Sequence, residues 1–206
     1  MIDYEQQALN GEFVKKLITI ILLILSISIY SSDSFFSVKF GVNYSTIDVS
    51  FDNRKANTGY SSGVLTYISY RKSIFNDFYL SLDLGINQKG VKITADSNTY
   101  FFNSLYSIDL AFILGYTFLN KLNLYLGIYG SKTAFTNIKL KEVMIYYPSS
   151  ESGLLFGIEY MYKNFLFDFR FQKGYYGSLI EKNLGDESLK EYNNSNQFIF
   201  MIAYRF

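Results

Sequence analysis

The feature that most constrains this chain is a period of two, repeated until little else is left. FSVKFGVNY sets Phe36, Val38, Phe40, Val42 and Tyr44 against Ser37, Lys39, Gly41 and Asn43. FYLSLDLGINQ sets Phe78, Leu80, Leu82, Leu84 and Ile86 against Tyr79, Ser81, Asp83, Gly85 and Asn87. The same rhythm runs through SLYSIDLAFILGYTF, KLNLYLGIYGS, GLLFGIEYMY, FLFDFRFQ and QFIFMIAYRF. Successive side chains of a strand point to opposite faces, so each stretch is a strand with one apolar and one polar face. With GVLTYISYR, whose parity is ambiguous, the count is eight strands of about nine to eleven residues, the length a tilted strand needs to cross hydrocarbon.

Which face is outside decides the class. A soluble lipocalin-like ligand-binding barrel turns its apolar face inward and must clothe itself in charge. Here the polar face is Gly, Ser, Asn and a few charges, too sparse for a solvated exterior. The apolar face is almost unbroken Phe, Leu, Ile and Tyr, as a lipid-facing wall requires. The spacing between strands agrees. Connections alternate long and short: about eighteen residues between strands one and two, then about five, then more than twelve. Leu119-Asn120-Lys121 joins four to five and Lys163-Asn164 joins six to seven. Outer-membrane barrels alternate long external loops with short periplasmic turns. The expected fold is therefore all-β: an eight-stranded antiparallel transmembrane β-barrel over residues 33–206.

The N-terminus reads as a targeting segment. Lys15 and Lys16 precede LITIILLILSISI, Leu17 to Ile29, whose 13 residues fall short of the ~20 that a membrane-spanning helix needs. Small serines follow, so residues 14–32 are expected to be a signal peptide. Residues 1–13 are acidic where such a peptide begins basic, and are expected to be a misassigned extension.

Absences exclude much chemistry. The chain has no Cys and no His. Disulfides, thiolate nucleophiles, imidazole bases and the usual zinc sites are out of reach. With 19 basic and 18 acidic residues and no charge run, nothing points to nucleic acid. No cofactor or metal is expected, and no enzymatic activity.

Seven charges fall on the polar face: Lys39, Asp83, Asp109, Glu159, Asp168, Arg170 and Arg205. Isolated buried charges are costly, so they are expected to pair into a lumen network that plugs a narrow barrel. Asp83 and Asp109 as an acid–base pair is the functional alternative, but no nucleophile or pocket accompanies them. A small outer-membrane channel is a further alternative. Gly41, Gly85, Gly127 and Gly157 are expected to ease strand curvature. The stretch ending in Phe198, Phe200, Ile202, Tyr204 and Phe206 reads as a closing strand and as a signal for the barrel-assembly machinery. Besides that machinery, the expected partners are the lipid bilayer and an extracellular or envelope protein met through TNIKLKEVMIYYPSSES or SLIEKNLGDESLKEYNNS. A monomer is expected.

GVNYSTID, LSLDLGINQKGVKI, FRFQKGYYGSLI and FIFMIAYRF, taken in order, resemble the outer membrane protein beta-barrel domain family of the PorT type, from about Phe36 to Phe206. The resemblance implies an eight-stranded outer-membrane barrel. One departure is Ala111, where the family commonly has Pro.

Overall fold

The computed structural model describes residues 34–47, 50–51, 54–55, 57–95, 98–136, 150–178 and 194–206. The expected signal peptide and N-terminal extension, and most of the two polar loops named above, lie outside the described residues.

Eight long strands follow the sequence rhythm: β1 (Ser34–Ile47), β2 (Ser61–Phe75), β3 (Phe78–Ala95), β4 (Asn98–Phe118), β5 (Leu122–Thr136), β6 (Ser150–Tyr162), β7 (Phe165–Ser178) and β8 (Ser195–Arg205). Each pairs antiparallel with its neighbour in sequence, and β1 pairs with β8, so the sheet closes on itself. That seam runs in register from Ser37↔Arg205 to Ile47↔Ser195. No free edge remains within the eight-stranded ring, which is the condition for a sheet to lie in hydrocarbon.

One end of the ring is drawn tight. Asn76-Asp77, Leu119-Asn120-Lys121 and Lys163-Asn164 turn the chain there. Asn76, Leu119, Asn120 and Lys163 have φ of 46°, 54°, 59° and 55°, the left-handed values that hairpin turns demand. Asn accepts such values readily because its short polar side chain can bond locally. Backbone bonds stitch these turns to the next strand: Thr117 N to Asp77 O at 2.8 Å, Met161 N to Lys121 O at 2.7 Å, and Arg205 N to Asn164 O at 2.8 Å.

At the other end the expected geometry needs correction. The strands are not nine to eleven residues long but run from 11 in β8 to 21 in β4. Strands three and four have no long loop between them. Their ladder continues as a hairpin up to Ala95↔Asn98, and Asn57–Gly59 adds a short strand to it. A strand continues wherever it finds a pairing partner, whether or not hydrocarbon surrounds it, so hydropathy marks the membrane and not the strand end.

The apolar faces point outward. Phe40 (63 % exposed), Leu126 (64 %), Ile128 (58 %), Phe156 (59 %) and Phe169 (55 %) are typical of the wall. Aromatic rings gather near both ends of it: Phe36 with Tyr70 and Phe78 with Tyr116 at the turn end, Tyr44 with Tyr60 and Phe171 with Phe198 toward the other. On β4, Tyr106 and Tyr116 stand ten positions apart, about 34 Å of strand or roughly 25 Å of height at 40° tilt, the band such a barrel presents to lipid. In β2, ambiguous in sequence, Leu65, Tyr67, Ser69 and Arg71 face inward.

Candidate functional site: the filled lumen

Inside, buried polar and charged residues outnumber apolar ones, the reverse of a soluble barrel. The charges sort into two clusters.

The cluster nearer the turns holds Lys39, Arg71 and Arg170 with Asp83, Glu159 and Asp168. Lys39 Nζ lies 3.0 Å from Asp168, 3.2 Å from Asp83 and 4.0 Å from Glu159. Arg170 Nη2 donates to Asp83 at 2.5 Å and to Asp168 at 3.2 Å. Arg71 pairs with Glu159 at 2.7 Å. Register explains why three cations are needed. Asp168 and Glu159 sit directly opposite one another on β7 and β6, where like charges repel. Lys39 and Arg71, reaching across from β1 and β2, separate them. Three charges of each sign leave the cluster neutral. Neutral donors complete it: Ser69 to Asp83 at 2.6 Å, Asn123 to Glu159 at 2.6 Å, and the Tyr125 hydroxyl to Asp168.

The second cluster lies toward the loop end. Asp109 accepts from the Tyr67 hydroxyl at 2.8 Å, Asn87 at 2.9 Å and Ser107 at 2.7 Å. Lys89 pairs with Glu151 at 3.1 Å, and Glu151 also accepts from the Tyr129 hydroxyl at 2.5 Å. Asn87 links onward to Gln197 at 3.0 Å.

Of the seven expected network residues, five meet in the lower cluster and Asp109 joins the upper one. Asp83 and Asp109 thus belong to different clusters and form no acid–base pair. Arg205 is the correction. It has inward parity but sits at the very end of β8, only part-buried, with its guanidinium against the Phe35 ring at 5.1 Å and Met161 Sδ at 3.5 Å. Parity places a residue on a face and says nothing of how near the rim it lies. Arg71, Lys89 and Glu151 were not foreseen. Arg71 was hidden by the ambiguous parity of β2, and Lys89 and Glu151 fall in segments read as loop. A continuous count of alternate positions from Asp83 would have reached Lys89.

Apolar and aromatic side chains fill the remainder: Tyr79, Ala111, Ile113, Tyr125, Tyr129 and Leu155 on one side, Leu65, Tyr67, Ile199 and Met201 on the other. Here the inward glycines have a steric role beyond easing curvature. Gly85 faces Tyr67, Gly115 faces Tyr79 and Gly157 faces Tyr125 across the ladder, and a Cβ on any of the three would land in that tyrosine's side chain. Gly41 and Gly127 stand in the same way to Met201 and Leu155. These five large inward residues each lie over a glycine of the neighbouring strand, which is how three rings fit into so narrow an interior.

The packing is tight enough to exclude water from the charges. Asp83, Glu159 and Asp168 are 0 % exposed, Lys39 1 % and Arg170 3 %. Side chains lining an aqueous channel would be open to solvent. No group of Asp and Glu among the described residues is placed to hold a metal ion.

An apolar outer wall around a filled polar interior defines an integral membrane β-barrel. Its fold is that of the bacterial outer-membrane barrels. Neisserial surface protein A superposes with a TM-score of 0.53 at 19% identity, covering 85% of this chain and 100% of that one. The outer membrane protein OprG from Pseudomonas aeruginosa gives a TM-score of 0.53 at 12% identity, covering 85% and 97%. No protein-family model matches the sequence, and no curated protein matches it.

Proposed function

We propose that this chain is an integral protein of the bacterial outer membrane, without an open pore and without catalytic activity. Its role is structural, or is exercised through the long connections at the loop end. One observation carries this reading: a charge cluster sealed from water lies inside a wall that only lipid can solvate. Eight strands enclose an interior just wide enough for side chains to fill, and here they fill it. Function then falls to the surfaces outside the lumen, and loops on a rigid scaffold are the usual bearers of binding. The channel alternative would need those buried ion pairs to part.

The turn end faces the periplasm and the loop end the exterior. The chain works as a monomer. The barrel-assembly machinery inserts it, reading the alternate residues Phe198, Phe200, Ile202, Tyr204 and Phe206. The finer placement, in the PorT-type family, rests on the order of the four motifs quoted above. Ala111 departs from that pattern at a position where the ladder is unbroken, paired to Asp83 on one side and Tyr129 on the other. A Pro there would remove a ladder donor.

The test is outer-membrane fractionation followed by a gel of heated and unheated protein. A membrane barrel stays with the outer membrane and migrates differently when unboiled. Recovery in the soluble periplasmic fraction with a single migration position would overturn the reading.

A further inference from the structure

The buried cations of the lumen, Lys39, Arg71, Lys89 and Arg170, each pair with a carboxylate. Arg205 does not: among the described residues it makes no ion pair. It lies at the turn-end mouth, its Nη1 3.5 Å from Met161 Sδ and one face over the Phe35 ring. Two further cations share this part of the rim. Lys121 lies beside Met161, whose backbone N bonds to the Lys121 carbonyl at 2.7 Å. Lys163 occupies the adjoining β6–β7 turn, where Asn164 accepts from Arg205 N at 2.8 Å. Both lysines are exposed, and Lys163 Nζ lies 5.6 Å from the Tyr162 ring. The arc from Leu119 to Leu122, Tyr160 to Phe165 and Tyr204 to Phe206 contains no Asp or Glu. The opposite arc is mixed, with Asp77 and Lys72.

The height of this basic arc matters as much as its charge. Tyr160, Tyr162, Phe165 and Tyr204, all exposed, form the aromatic girdle just beside it. Such girdles mark the level of lipid headgroups. Cations at that level meet phosphate oxygens, and a guanidinium held beside a ring and a thioether keeps donors free for a phosphate. We infer that Lys121, Lys163 and Arg205 form a site for the headgroup of an anionic phospholipid in the leaflet at the turn end. Tyr162 and Phe165 flank its acyl chains.

This inference rests on the membrane placement proposed above, and the experiment separates the two. Folded protein is exchanged from detergent into nanodiscs holding equal parts of phosphatidylglycerol and phosphatidylethanolamine. Native mass spectrometry then counts the lipids retained as the particle is stripped. Wild type should keep phosphatidylglycerol in preference, each basic residue near the surface contributing roughly a fivefold bias. The Lys121→Gln/Lys163→Gln/Arg205→Gln variant should retain the two lipids equally, while Lys72→Gln and Lys132→Gln leave the preference intact. Should the triple variant not give the shifted band of a folded barrel, the Lys121→Gln/Lys163→Gln variant, altered only at exposed turn positions, should still lose most of the bias. Equal retention by wild type, or a preference that survives the triple change, overturns the inference and leaves the barrel standing. So does displacement of the lipid by a soluble anionic glycan or acidic peptide at equal concentration, which would name a periplasmic partner instead. Retention of no lipid of either kind would count against the membrane placement itself.

Discussion

Replacing Arg170 by Met keeps most of the side-chain volume and removes one positive charge from the lower cluster. Arg170 Nη2 now serves Asp83 at 2.5 Å and Asp168 at 3.2 Å, and its Nε donates to the Tyr125 hydroxyl at 3.2 Å. Without it, Lys39 alone faces both carboxylates, at 3.2 and 3.0 Å, and must also serve Glu159 at 4.0 Å. The cluster passes from neutral to a net charge of −1 in a space that water does not enter. Removing one partner of a buried pair costs about 3–5 kcal/mol, because the other charge is left uncompensated. Against a total stability of about 5–15 kcal/mol, that is a fifth or more. Adding Asp83→Asn on top of Arg170→Met restores neutrality, so the double variant should be more stable than the Arg170→Met single. Urea unfolding from lipid vesicles, followed by the fraction of protein running at the unheated position on a cold gel, reads both; the chain has no Trp, so its 20 Tyr are the only other optical probe of note. The reasoning fails if Arg170→Met costs less than about 1 kcal/mol, or if Asp83→Asn adds to the loss instead of offsetting it.

Four further outcomes follow. Tyr125→Phe should cost about 1–3 kcal/mol because its hydroxyl bonds Asp168 and Arg170, whereas Tyr79→Phe should fall within about 0.5 kcal/mol, its hydroxyl having no partner among the described residues; the same unfolding assay compares them, and equal costs would refute the assignment. Phe169→Arg, on the middle of the outer wall, should cost about 2–4 kcal/mol and Tyr204→Arg, at the girdle, about 0–1 kcal/mol, since the penalty depends on depth in the bilayer. Proteases added to whole cells should cut between Thr46 and Ser62 or between Lys132 and Ser152, with cuts at Asn120 or Asn164 only after the membrane is broken; the reverse pattern inverts the topology. Pure protein in planar bilayers should give no steady single-channel currents, and reproducible ones would show that the lumen opens.

Outside β2, the outer wall was legible in the sequence because lipid asks only for apolar side chains at alternate positions. Phe40, Leu84, Leu126 and Phe169 could be read from parity alone. The lumen was legible as a set of charges but not as pairs. That Asp168 faces Glu159, or that Gly115 makes room for Tyr79, depends on register, which the turns fix and no single strand records. Arg71 shows the limit most clearly. In GVLTYISYR both faces carry apolar residues, so parity was undetermined until Ser69 and Asp83 were seen to share a face. Arg205 shows the converse, with correct parity and the wrong neighbours, because distance from the rim is a property of the whole barrel.

The seam between β1 and β8 has a consequence for the order of events. Its eleven residue pairs join strands from opposite ends of the barrel's sequence. Every other ladder joins strands that are neighbours in sequence and can form as a local hairpin, but this one needs both ends of the barrel at once. Until then the sheet has two raw margins, which hydrocarbon cannot solvate and another copy could capture. A chain in transit through the periplasm therefore gains no partial barrel to protect it. The same non-local closure slows folding, since the entropy of bringing the ends together is lost before any bond across the seam returns it. A chaperone that guards those two margins has more to do for this protein than one that merely shields its phenylalanines.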